Sequence, residues 1–421
     1  MSPSSHRART PDYNDLWNPN RLARGVRDCG DGAAQRQAKM SDMMTQSASS
    51  VWSRQCGAAL LVLAIVGCGC ATALAELSVN SSFPGGSGKV VRIDQENQKV
   101  VLEPSRRPNR GWECWWYVRI DGATAGATLL VDVGDAPWAT PERASISVDN
   151  KAWRFTKPGS RARSRIAYSI EAPAEQFWLA WGPPFTPADA QRLVDRSSKH
   201  ADATAFELCK TREMRKVPAL HVRKGDEAKR HVVWVQARQH AWEAGSSWVC
   251  QGLTDWLISD EERAGLLRDR AEVFIVPIMD IDNSAVGAGG KNQIPRDHNR
   301  DWDDKPYWPA VAAAQEKLRE LNTEQRLDIF IDLHNPGATA RHPYFYIVPR
   351  HLLNRRGQRN LNSFLACSRE EMSGPLSFVG QTVESGSGYD RNWKRISKNW
   401  VSLNSAPHVV SVTLETAWNT P

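Results

Sequence analysis

The sequence predicts an α/β architecture in two parts, an N-terminal antiparallel β-sandwich followed by an α/β/α domain with a mixed central sheet. Three observations carry that prediction. From residue 77 to 181 short β-branched and aromatic runs are separated by turn residues, and no helical period appears among them. After Ser197 longer apolar runs at 232–235, 273–279, 327–333 and 409–414 alternate with helical stripes around 311–321 and 361–365, the habit of a sheet covered by helices. Between the two stands Gly182-Pro183-Pro184-Phe185-Thr186-Pro187, a breaker that closes on an N-cap type and a proline at the first helical position. The expected boundaries are 1–75 for an N-terminal extension, 77–185 for the sandwich and 186–421 for the second domain.

Taken in order, residues 1–55 are polar and without an apolar period, so they predict no packed structure. The segment 57–75 changes character. An apolar core at 57–67 follows Arg54, and Ala73-Leu74-Ala75 before Glu76 has the small-x-small form of a secretory cleavage site. A membrane-spanning anchor is the competing reading of these uncharged residues, although Gly, Cys, Thr and Ala fill their second half. A signal normally opens a chain, so Met40, Met43 or Met44 is expected as the true start. Ile65-Val66-Gly67-Cys68 also looks like a bacterial lipoprotein box, with Cys68 as the lipidated residue and the one membrane attachment expected. The signal and lipoprotein readings both predict a periplasmic or secreted protein.

Residues 1–75 carry eight of the 54 Lys/Arg and five of the 47 Asp/Glu, so the rest of the chain keeps a net charge of only +4. With no long basic run, a nucleic-acid partner is unsupported, whereas a mildly basic pocket for an acidic substrate is compatible. Cys114, Cys209, Cys250 and Cys367 fit no zinc-thiolate spacing and read as buried thiols or disulfides.

The clearest sandwich strands are 115–120, 128–133, 145–148, 166–170 and 177–181. In the second domain the run 232–235 is a buried strand, and His240 and Glu243 follow it on a strand-to-helix loop. Ser246 and Ser247 are N-cap types, and Val249, Leu253, Trp256 and Leu257 form the stripe of the helix beyond. A histidine and a carboxylate three residues apart can turn toward one ion, and two histidines plus a glutamate are a known zinc set. The strand 329–333 delivers a second histidine, His334, before Asn335-Pro336-Gly337 stops it. Between them, Asn299 and Arg300 can grip a carboxylate, the arginine through its bidentate fork. His298 beside them is a decoy ligand. Gly287-Ala288-Gly289-Gly290-Lys291 lacks the spacing of a phosphate loop. Glu415 ends the strand 409–414, where a carboxylate beside zinc can take a proton from water that the metal has acidified.

His240-x-x-Glu243, His334 after a strand, Asn299-Arg300 and Thr413-Leu414-Glu415-Thr416 together resemble the zinc metallocarboxypeptidases. The context Ala237-Arg238-Gln239-His240 and Ser247-Trp248-Val249, the sandwich with Trp116-Tyr117 and its exit at 177–185 resemble the cytosolic carboxypeptidase, or deglutamylase, branch in a bacterial form. The resemblance runs from about residue 80 to the C-terminus. It implies one Zn2+ per chain on His240, Glu243 and His334, the substrate's terminal carboxylate on Asn299 and Arg300, and Glu415 as general base. It also implies peptide or protein C-termini as partners and suggests a taste for acidic terminal residues. Arg391, Lys394 and Arg395 are candidate sources of positive charge, although a solvated loop is the favoured reading of these three.

Three departures qualify it. The family arginine that polarises the scissile carbonyl has only Lys291 or Arg296 as counterpart, and spacing favours Lys291, which lacks the bidentate fork. Tyr389 matches the family's mobile tyrosine or is a turn residue of Gly386-Ser387-Gly388-Tyr389. Only six residues follow Glu415, so the closing C-terminal helix of the catalytic domain is expected to be missing and a sheet face uncovered. Two other functions stay open, a peptidoglycan stem-peptide carboxypeptidase and a catalytically impaired binding protein of the same fold.

Overall fold

The structure, a computed structural model, describes residues 76–134, 140–225 and 231–420. The expected signal at 57–75, Cys68 and the alternative starts lie outside the described residues. Among those described, no helix is long and apolar enough to cross a membrane.

The first part is built from β1 (Ser78–Asn80), β2 (Lys89–Asp94), β3 (Lys99–Glu103), β4 (Tyr117–Asp121), β5 (Thr128–Val133), β6 (Ser145–Ser147), β7 (Arg154–Phe155), β8 (Ser160–Ala162), β9 (Arg165–Glu171) and β10 (Gln176–Ala180). They form two five-stranded sheets, in the orders β1-β4-β10-β6-β7 and β2-β3-β5-β9-β8. Strand alternation builds the core: Val118 and Ile120 of β4, Leu129 and Val131 of β5, and Ile166 and Tyr168 of β9 point inward, while Arg119 and Asp132 point out. The pairing is antiparallel except between β3 and β5, which run parallel. The chain crosses to the other sheet as β4 between them, so β5 returns in the direction of β3.

Thr186 opens α1 (Pro187–Ser197) as the sequence predicts, in a reciprocal capping box with Asp189. Next come β11 (Ala203–Lys210), β12 (Lys216–Val222), β13 (His231–Ala237), β14 (Ala271–Val276), β15 (Leu327–His334), β16 (Tyr344–Ile347), β17 (Thr382–Glu384) and β18 (Val410–Glu415). They make one mixed sheet in the order β11-β12-β14-β13-β15-β18-β16-β17. The four central strands are parallel; β11, β12 and β14 pair antiparallel on one side, β18 and β16 antiparallel on the other, and β17 runs parallel to β16 at the edge.

Helices α2 (Ala244–Leu257) and α3 (Glu262–Arg270) pack on the face that carries Val235, Ala237 and Ile275. After the short α4 (Ile281–Val286), α5 (Pro309–Thr323) covers the opposite face over Trp234, Phe274 and Phe330. Helix α6 (Arg355–Glu371) joins the α2 side through Leu361, and α7 (Ser397–Asn404) joins the α5 side through Trp400. On the α2 side Ile329, Ile331 and Leu414 stay half-buried, so that face is the less completely covered. The four cysteines are free thiols, Cys114 and Cys250 buried and Cys367 exposed.

A tryptophan cluster joins the two parts. Trp181 at the end of the sandwich stacks on Trp418 at a centroid distance of 3.9 Å and meets Trp242 edge-on at 5.0 Å.

Candidate active site

Strands β13, β15 and β18 finish at one edge of the sheet. Strand β13 leads to β14 on one side and has β15 on its other side, the kind of switch point where open α/β sheets bind ligands. His334 stands opposite Glu415 in the β15–β18 ladder, and Ala237 opposite Leu333. Past β13 the chain bends at Arg238, whose φ of 66° is uncommon for a residue with a side chain. The buried guanidinium secures that bend by donating to the carbonyls of Ala241 at 2.7 Å and Phe185 at 2.8 Å. Burial lowers its pKa to about 10 against the attraction of Asp280, Glu243 and Asp189, so it is still charged at neutral pH.

Helix α2 starts earlier than the sequence predicts. Ser246 and Ser247 lie in its first turn, and Glu243 occupies the N-cap position without a side-chain capping bond. The cap comes from elsewhere: Asn335 Oδ1 accepts the Ser246 N–H at 2.7 Å. Ser246 Oγ donates to the Glu243 carbonyl and Ser247 Oγ to that of Pro277. Glu243 is thereby released to point inward.

Its carboxylate sits between two imidazoles, with Oε1 2.8 Å from His240 Nδ1 and Oε2 2.6 Å from His334 Nδ1. One ligand atom from each of the three lies within 4.8 Å of the others, and all three residues are buried. The far ring nitrogens face carboxylates, His334 Nε2 at 2.9 Å from Asp332 and His240 Nε2 at 3.7 Å from Asp297. Burial disfavours the charges, but the imidazoles hold Glu243 well below the usual carboxylate range. Likewise Asp332 and Glu243 outweigh burial and hold His334 well above an ordinary imidazole. This donor set fits a zinc ion: converging Nδ1, Nδ1 and carboxylate atoms, with outer carboxylates that orient the rings.

Glu415 is brought to the same edge, and its Oε2 is buried without a hydrogen-bond partner. Burial and the neighbouring Glu243 charge push its carboxyl up to about 8, opposed by His334 and Lys291. Asn299 lies on a short 3-10 turn, with Nδ2 3.3 Å from His334 Nε2 and Oδ1 accepting the Ser397 N–H. Arg300 beside it donates from Nε to Asp390 at 2.8 Å.

Lys291 follows Gly290, whose φ is +80° and where a Cβ would meet Asp280 Oδ2 at 2.5 Å. The loop is tied to the sandwich, since Trp112 N donates to the Lys291 carbonyl and the Lys291 ammonium lies over the Trp112 ring. Its charge is felt by both Asp297 and Glu415. Arg296, the competing candidate, is engaged by Asp301 and Asp303. Tyr389 is in a turn closed by a bond from its N–H to the Gly386 carbonyl, and its ring also leans on Tyr346 at 5.2 Å.

The residues weighed as bystanders lie apart from this group. Arg391, Lys394 and Arg395 are exposed, Arg395 paired with Asp303. His298 faces Gln293 and stacks on Trp308, and burial lowers its pKa to about 4, so it is a core residue. The sequence reading missed Asp332, which gathers Gln239, Ser397 and His334 on Oδ2, and Asp297, Asn335 and Arg238. It also missed Lys398, fully buried on α7, whose ammonium donates to the Ser385 hydroxyl and the Asn399 amide oxygen, both neutral. Burial drives its pKa well down, against the pull of Asp332. The readable signal was spacing: Asp297 precedes Asn299-Arg300 by two residues, and Asp332 precedes His334 by two.

Comparison with known proteins gives the family and the fold. The zinc carboxypeptidase family model matches residues 191–417, and the cytosolic carboxypeptidase N-terminal domain matches 79–181. Mouse cytosolic carboxypeptidase 3 is 27% identical over 76% of this chain but 36% of its own length, and Xenopus tropicalis cytosolic carboxypeptidase 2 is 29% identical over 44% and 21%. The chain thus spans a fifth to about a third of these relatives. An uncharacterized Zymomonas mobilis protein is 25% identical over 62% of this chain and 68% of that one. The fold is that of a Burkholderia cenocepacia metallo-carboxypeptidase, at a TM-score of 0.68 and 22% identity over 81% of this chain and 90% of the other. With more than half its length covered by the family model, this chain belongs to the zinc carboxypeptidase family, a family of metal-dependent peptide hydrolases.

Proposed function

We propose that the protein removes the C-terminal residue of a peptide or protein with one Zn2+ per chain, held by His240, Glu243 and His334. The observation that carries this reading is the meeting of both Nδ1 atoms on Glu243 at the strand edge where Glu415 faces His334. When bound, zinc would polarise the scissile carbonyl and acidify a water molecule. Glu415 would take a proton from the attacking water and pass it to the departing amine. Lys291 offers positive charge to the developing oxyanion. Arg300 and Asn299 receive the terminal carboxylate, which replaces Asp390 as the partner of part of the guanidinium fork. Tyr389 closes over the substrate.

A preference for acidic terminal residues is supported by Lys398. Burial disfavours its charge and its oxygen partners are neutral, so a carboxylate brought beside it would favour the protonated form and be held by it. The exported location rests on the segment 57–75.

The test combines metal analysis with a library of C-terminal peptides that includes peptidoglycan stem peptides. About one zinc per chain and single-residue trimming are expected. Glu415→Gln should keep its zinc and lose about 100-fold or more in turnover; unchanged turnover would sink the mechanism. Lys398→Met should cut the preference for glutamate-ended over neutral peptides by about tenfold, measured as a ratio of kcat/KM values. An unaltered ratio would remove Lys398 from the specificity account.

A further inference from the structure

Away from the catalytic edge, a cavity of about 500 Å3 lies between the outer face of the first sandwich sheet and the start of α1. Its volume is that of an ordinary small-ligand site. None of the residues named above as metal ligands, base or carboxylate grips lines it. Strand alternation sends Tyr117 and Arg119 of β4 to this face, and Trp178 of β10 stands directly across the ladder from Arg119. Phe83, Trp153 and Trp248 complete an aromatic lining. Trp153 and Trp178 are half-buried, and neither indole N–H has a partner among the described residues.

The polar groups are lopsided. Three cations, Arg119, Lys151 and Arg192, line the cavity against one carboxylate, Asp189. Arg119 spends its Nε on Asp121, and Arg192 pairs with Asp189. Lys151 is exposed and has no ion pair among the described residues. The Asn150 amide oxygen is taken by the Tyr117 hydroxyl, which leaves its N–H2 as another donor. The site therefore offers flat apolar ring faces and spare donors, and few acceptors. A ligand that fits must present flat C–H faces to the indoles and oxygen acceptors, at least one of them anionic, to the cations. An acidic peptide would use the cations but not the aromatic surface of Trp153 and Trp178, and a neutral sugar would gain nothing from the Lys151 charge.

We propose that this cavity binds an anionic saccharide, a chain of pyranose rings that carries carboxylates. The inference does not depend on the peptidase reading. The test is titration calorimetry of the full chain with oligogalacturonate as probe, beside cello-oligosaccharide of equal length and polyglutamate. Saturable oligogalacturonate binding that weakens with salt is expected, reduced about tenfold or more by Trp178→Ala and by Lys151→Glu. Lys151 is on an exposed loop, so its variant decides the matter should Trp178→Ala unfold. No saturable binding, or cello-oligosaccharide binding as tight as that of the uronate, overturns the proposal. Binding of polyglutamate alone also overturns it and makes the cavity a peptide-docking surface.

Discussion

Glu243 lies between two imidazoles that can pair with it or share a cation with it, and the two states respond oppositely to pH. His334 is raised above its ordinary 6.5, so without metal its ion pairing stabilises the fold below that pH and is lost as pH rises through the folded value. Glu243 is depressed, so its contribution is present above its ordinary 4.5 and is lost as pH falls through the folded value. Glu415, raised to about 8, adds a penalty that grows between 4.5 and 8. The metal-free protein should therefore be most stable in mildly acidic solution and weaken toward alkaline pH. Zinc needs unprotonated imidazole, so the rise in Tm on adding zinc should be larger at alkaline than at mildly acidic pH, as differential scanning fluorimetry at a series of pH values would measure. Equal increments would argue against the three-residue set. The three candidate ligands that the structure brings together were legible because each follows a buried apolar strand. Lys398 was not, because nothing local separates a buried lysine from Arg391, Lys394 and Arg395; the fold that seats it on Ser385 does.

At the scale of elements, the start of α2 is organised by a residue from another strand. Asn335 accepts the Ser246 N–H and donates to the Thr416 carbonyl at 2.8 Å, so one amide ties together α2, the end of β15 and the exit of β18. Gly245 permits this: a Cβ there would meet Asn335 Oδ1 at 2.8 Å. Asn335→Ala should cost about 1–3 kcal/mol in chemical denaturation and weaken zinc binding, because Glu243 loses the turn that aims it. Wild-type zinc affinity in that variant would show that Glu243 is aimed by its ring contacts alone. The sequence marked Asn335 only as a strand stop, and local N-cap preference favoured Ser246 and Ser247, so a tertiary cap overrode a local one. Strands β13 and β14 were readable from their apolar runs, whereas Asp328 and Asp332 interrupt β15 and Ser411 and Thr413 interrupt β18, where one face is less completely covered. Strands β7 and β8, two and three residues long, are too short to leave a pattern, and β11 alternates with mostly exposed positions.

In the whole molecule the sandwich and the catalytic sheet share a core. Trp418, three residues beyond Glu415, packs between Trp181 and the Pro336 carbonyl, which accepts its indole N–H at 2.9 Å. The Asn419 amide then exchanges two hydrogen bonds with the Arg143 backbone. Trp418→Ala should destabilise the fold by about 3–5 kcal/mol and reduce hydrolysis with it, because the same segment holds Glu415. A stability loss without any change in turnover would separate the tryptophan cluster from the site. The sequence displayed these tryptophans but not their meeting, since Trp181 and Trp418 are far apart in the chain and only the folded sheet brings them together. Their order gives synthesis a direction. A ribosome finishes the surface that receives Trp418 long before Trp418 exists, and the proposed base is the last of the site residues to leave the exit tunnel. The residues proposed to hold the ion are thus all made before the residue proposed to use it.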